Sequence, residues 1–79
     1  MLATTKAGQI GETLKARRVR AGMSVVAVAS ELWCTPRYVY MVERGDRVPN
    51  HRTLDCFVRA IGIDDATATR LHASVDSLR

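Results

Sequence analysis

The sequence predicts an all-α protein, a compact bundle of five short helices in one domain. Three observations carry this. Apolar residues recur at spacings of three and four. Cap residues, glycines and a proline punctuate the chain at short intervals. No stretch alternates apolar and polar residues as a half-buried strand would, and "SVVAVAS" reads as a helix start because Ser24 stands before it as a cap. Seventy-nine residues make a single domain, 1–79, with a core at 8–63 and a C-terminal helix at about 65–78. So short a chain buries a modest core, so helix packing or a partner must supply the rest of its stability.

The first helix is predicted from Lys6 or Gly8 to Ala21, with Ile10, Leu14 and Ala21 inward, Ala16 beside them, and Lys15, Arg17 and Arg20 reaching solvent. Gly22 ends it, and Met23 packs back across the turn. The second runs from Val25 to Leu32 behind the Ser24 cap, with Val28, Ala29 and Leu32 on one face. The third starts at Pro36 behind Thr35, where the missing proline N–H costs nothing. It continues to about Arg44, turns Val39 and Val42 inward, and stops at Gly45. After a loop at 46–49, Asn50 caps a fourth helix, His51 to Ile61, whose inner face is Leu54, Phe57, Val58 and Ile61. Gly62 closes it. Asp64 caps a fifth, with a stripe of Ala68, Leu71, Val75 and Leu78 expected to dock on the domain's own core rather than on a second copy.

The net charge is +4, and it is uneven. Residues 1–62 hold ten Lys/Arg against five Asp/Glu, and residues 63–79 hold two against three. A basic body suits a polyanionic partner, most often nucleic acid. Other classes find little support. Cys34 and Cys56 lack zinc-ligand spacing and read as ordinary thiols of a reducing compartment. His51 and His72 stand in no catalytic or metal-ligand spacing, Asp64, Asp65 and Asp76 read as capping and surface acids, and there is no Gly-rich phosphate loop. The expectation is no enzyme, no cofactor and no metal. With no apolar run near ~20 residues and no signal-peptide pattern, the expected location is the cytoplasm, with the nucleoid, or a host's cytoplasm if the chain is phage-encoded.

Three segments, "IGETLKARRVRAGMS", "VVAVASELWCTPRYVYMVERGDRVP" and "NHRTLDCFVRAIGI", span Ile10 to Ile63. Together they resemble the phage repressor and Cro class of helix-turn-helix domains, the XRE family. Arg18 stands four residues before Gly22. Gly22, Met23 and Ser24 match that family's step into its second helix. Ala29 sits where two helices must approach closely, Tyr38, Val39 and Val42 precede "ERG", and Pro49 leads into a capped helix. The resemblance implies a lambda-repressor-like fold. It also implies a DNA-binding regulator, a repressor whose third helix enters the major groove as part of a dimer on a pseudo-palindrome.

On that reading the base contacts are Arg37, Pro36, Tyr40 and Met41. The fork of Arg37 matches guanine O6 and N7, with a phosphate contact as its rival, while Pro36 and Met41 offer apolar contact, for example to thymine methyl groups. Thr35, Tyr38, Arg44, Arg47, Asn50, His51, Arg52 and Arg17 are the phosphate candidates, with Lys6 a further cation. Thr35 is above all a cap, and one of the two tyrosines is half-buried packing. The resemblance also pairs Arg18 with Glu43 in a partly buried salt bridge.

Three departures stand out. Val25, followed by Val26, replaces a glutamine that often holds phosphate; both are expected exposed, as an apolar patch or tucked against the N-terminal segment. Trp33 replaces the usual glycine, so the turn is expected to avoid a left-handed backbone. The reading helix also has few polar side chains. An alternative follows: an interaction module or antitoxin that contacts a protein through Val25, Val26 and Trp33.

Overall fold

A computed structural model describes residues 5–78, which form α1 (Lys6–Arg20), α2 (Val25–Leu32), α3 (Pro36–Glu43), α4 (His51–Ile61) and α5 (Asp65–Asp76). Each helix begins on a side-chain oxygen that accepts the backbone N–H three residues on. Thr5 takes Gly8, Ser24 takes Ala27, Thr35 takes Tyr38, Asn50 takes Thr53 and Asp64 takes Thr67, all within 2.8–3.2 Å. Each such cap is worth about 1 kcal/mol, which matters for helices of 8 residues, the length of α2 and α3, that are too short to stand alone in water. Among the described residues no helix is long and apolar enough to cross a membrane.

Phe57 and Leu54 of α4 are fully buried and lie among Ile10 and Leu14 of α1, Val28 of α2, and Val39 and Val42 of α3. Around them α1 packs on α3, α4 and α5, α2 packs on α3 and α4, and α4 packs on α5. Backbone meets backbone where α1 crosses the end of α3. A Cβ on Gly11 would stand 2.4 Å from the carbonyl oxygens of both Val42 and Glu43, so no larger residue fits there. A Cβ on Gly45, at φ +85°, would stand 2.9 Å from the backbone of Gly8.

Arg18 of α1 completes this junction. Its Nε and Nη2 donate to the two carboxylate oxygens of Glu43 at 2.6 and 3.1 Å, and its Nη1 donates to the carbonyl of Met23 at 2.9 Å. The pair has side-chain exposures of only 11% and 5%. The hydrogen bonding to Glu43 raises the Arg18 pKa above its ordinary value, against the opposing effect of burial. A bidentate pair of this kind fixes the relative position of two helices more surely than it adds net stability.

The structure amends four expectations. Ala16 and Ala21 are exposed, because α1 ends at Arg20 and only its Ile10–Leu14 stretch reaches the core. Helix α5 stops at Asp76, and Leu78 is 42% exposed, so the docking stripe is Leu71 and Val75 with Ala68 partly buried and Thr67 fully so. Val25 is buried, not exposed; it lines the same groove as Arg18 and Glu43, and only Val26 stays open at 65%. Trp33 does adopt the left-handed conformation, φ 56° and ψ 39°. Its N–H bonds the Ser30 carbonyl and the Cys34 N–H bonds the Ala29 carbonyl, which satisfies the end of α2 as a left-handed C-cap does. The strain of about 1–2 kcal/mol for a non-glycine residue there is tolerated because the indole, 96% exposed, meets nothing.

Candidate nucleic-acid interface

Helix α3 is amphipathic over its eight residues. Val39 and Val42 are buried and face α1 and α2 across the core. The helical period then turns Pro36, Arg37, Tyr40, Met41 and Arg44 outward. Pro36, Arg37, Tyr40 and Arg44 are exposed and Met41 is half-buried. Arg37, Tyr40, Met41, Arg44 and Asp46 line one open cleft of about 650 Å³. Two guanidinium groups, Arg37 and Arg44, stand in its lining beside Tyr40 and Met41, and its single acid, Asp46, lies 3.5 Å from Arg44.

A second groove runs on from this cleft through Tyr40 and Arg44 to Lys15, Ser24 and Val25. It brings Lys15 and Arg44 beside the first turn of α2, whose backbone N–H groups have no partner within the helix. Lys15 was not among the sequence-derived phosphate candidates. Only the crossing of α1 over α3 brings it there, and local spacing carries no signal of that crossing.

The remaining candidates divide. Arg47, in the loop before α4, and Arg52, in its first turn, are exposed, and Asn50 spends its side-chain oxygen on the α4 cap. Thr35 likewise spends its oxygen on the Tyr38 N–H. Tyr38 is the half-buried tyrosine; burial raises its pKa, the Cys34 thiol adds to this and nearby Arg47 opposes it. Burial alone raises the pKa of Cys34, which is a core-edge thiol. Arg17, expected at the DNA backbone, is turned to α5 instead: it lies 3.3 Å from Asp64 and donates to Thr67 at 3.0 Å. Thr67 in turn gives Asp64 its N–H and its hydroxyl, which hold the Asp64 carboxyl below its ordinary pKa, the backbone N–H contributing most.

His51 is also differently occupied. Its Nδ1 lies 2.6 Å from Nδ1 of His72 and its Nε2 lies 2.6 Å from Asp76, while Nε2 of His72 lies 2.7 Å from Asp55. Both ring nitrogens of His51 therefore face α5 or its partner residues rather than solvent. The ring centroids are 4.8 Å apart and nearly coplanar, which with a 2.6 Å nitrogen separation means edge-to-edge contact, not face stacking. The sequence contained a signal for this: each histidine has an aspartate four residues on, His51 with Asp55 and His72 with Asp76. The fold cross-pairs them between α4 and α5. Among the described residues no three His, Cys, Asp or Glu side chains converge on a metal-sized space.

The family model described as a helix-turn-helix domain matches residues 9–71, from the second turn of α1 into the first half of α5. Comparison with curated proteins gave no match.

Proposed function

From the premise that this chain belongs to the helix-turn-helix domain family, we propose that it is a sequence-specific DNA-binding transcriptional regulator, a repressor of the phage or plasmid type. The observation that supports this best is the outer face of α3. It is exposed, edged with arginine, and held at its far end by Gly11 and the Arg18–Glu43 pair. In this reading α3 enters the major groove, where Arg37 offers its fork to guanine and Pro36, Tyr40 and Met41 offer apolar and aromatic contact to neighbouring bases. Lys15, Arg44, Arg47 and Arg52 meet phosphates. The first turns of α2 and α4 aim free N–H groups at the same backbone.

Size favours a dimer. The longest dimension of the domain is 29 Å, whereas two half-sites on one face of the duplex lie about 34 Å apart. One chain thus covers one half-site, and a pseudo-palindrome calls for two. Selection of bound sites from random DNA tests the proposal: it should yield two inverted half-sites one helical turn apart. Recovery of no preferred sequence speaks against it.

A second reading is favoured by Trp33, the most exposed large apolar side chain, with Val26 of α2 exposed as well. In it, this face contacts a protein, as an antitoxin's would. A partner interaction lost with Trp33→Ala but kept with Arg37→Ala supports that reading. The reverse pattern supports DNA.

A further inference from the structure

Taking the DNA-binding reading as its basis, we infer that the α3 cleft reads the 5-methyl group of a pyrimidine lying one or two base pairs from a guanine. Three observations lead there. The first is the make-up of the lining. Tyr40 and Met41 supply its apolar part, and a thioether or a ring face suits a methyl group better than the hydrogen-bonding edge of a base.

The second is the single acid at the rim. Asp46, 3.5 Å from Arg44, places negative charge on a cleft otherwise edged by arginine. A carboxylate there opposes a phosphate but is tolerated by neutral base edges, so the cleft faces the groove rather than the backbone. Asp46 also engages Arg44, whereas Arg37 has no ion-pair partner among the described residues.

The third is spacing. Arg37 and Met41 are four residues apart on one helix face, about 6 Å along the axis. Base pairs rise about 3.4 Å each. With Arg37 on guanine, Met41 falls one or two base pairs further on, depending on how α3 tilts in the groove. In the major groove the two carriers of a 5-methyl group are thymine and 5-methylcytosine.

The test uses the full chain and the site recovered from random DNA. Each thymine of the half-site is exchanged for uracil, which removes the methyl group alone. One position, within two base pairs of a guanine, should lose about fourfold in affinity, the effect of one buried methyl. With Met41→Ala, that loss should vanish. Met41→Gln, which keeps the length of the half-buried stem, should behave alike and guards against a folding defect. A parallel probe carries 5-methylcytosine at the cytosines of the site. A gain there, with no loss on thymine-to-uracil exchange, assigns the methyl to 5-methylcytosine and keeps the inference. Specific, salt-dependent binding with neither effect overturns this inference while leaving the DNA-binding proposal standing. Failure to recover any preferred site removes the proposal itself.

Discussion

Arg18 and Glu43 meet through two hydrogen bonds, 2.6 and 3.1 Å, across the junction of α1 with the last residue of α3. The orientation of α3 therefore depends on a charge pair twenty-five residues apart in sequence that lies almost out of water. Glu43→Ala should cost about 3 kcal/mol, because it strands a half-desolvated guanidinium. In a domain of this size that lowers Tm by about 12 °C or more. Replacing both residues, as Arg18→Met with Glu43→Leu, should cost less than Glu43→Ala alone. Urea denaturation of the single and double variants measures this. A double variant that loses as much as the sum of the singles contradicts it.

Trp33 stores strain without burying surface. Trp33→Gly should stabilise the domain by about 1 kcal/mol, the left-handed penalty less the extra entropy of glycine. Trp33→Val should destabilise it, since a β-branched residue fits that backbone worse. If DNA affinity is unchanged in Trp33→Gly, the indole serves neither the turn nor the groove, and a partner protein becomes its remaining use. Thermal melts and a binding titration on the same samples give both answers.

Five helices, four of their five caps and the central inward residues of each helix follow from residue spacing alone, because capping and amphipathic period are local properties. Ser24, Thr35, Asn50 and Asp64 were readable as caps for that reason. What could not be read depends on how helices cross. Val25 looks exposed by its place at a helix start, yet it is buried because α1 and α3 close over that end of α2. Lys15 joins the candidate interface through the crossing of α1 over α3, and Arg17 is turned away from it by the packing of α1 on α5. Trp33 adopts a left-handed backbone, since an outward side chain lets hydrogen bonding at the end of α2 outweigh local strain.

Asp64 predicts a specific pH dependence. Its folded pKa is depressed, chiefly by the Thr67 N–H and then by the Thr67 hydroxyl, so its charged form is the one the fold favours. A depressed carboxylate contributes stability that is fully present above the unfolded pKa of about 3.9. That contribution is lost as pH falls through the lower folded value. Asp64→Asn keeps a capping oxygen but has no charge to lose. The stability difference between wild type and Asp64→Asn should therefore shrink below about pH 4. Urea midpoints between about pH 6 and pH 2.5 test this; a difference that is constant across the range contradicts it.

His51, His72, Asp55 and Asp76 clip the C-terminal half of α5 to α4. His72→Ala removes two of the three links at once. Amide exchange in α5 beyond residue 71 should accelerate by roughly tenfold or less, since the groups are partly exposed and each bond is worth about 1 kcal/mol. Exchange in α2 and α3, which do not touch this cluster, should be unchanged. Faster exchange throughout the domain would show that the clip supports the whole fold rather than α5.

The central claim is that the exposed face of α3 reads base edges while the surrounding cations meet phosphates. Titration of the selected site, and of scrambled DNA, with wild type, Arg37→Ala and Arg52→Ala over a range of salt concentrations separates the two roles. Arg37→Ala should lose about 1–3 kcal/mol on the selected site, little on scrambled DNA, and so most of the discrimination. Arg52→Ala should weaken both equally and reduce the salt dependence by about one phosphate contact. Affinity that ignores salt, or discrimination that survives Arg37→Ala intact, would contradict the assignment of α3 as the reading helix.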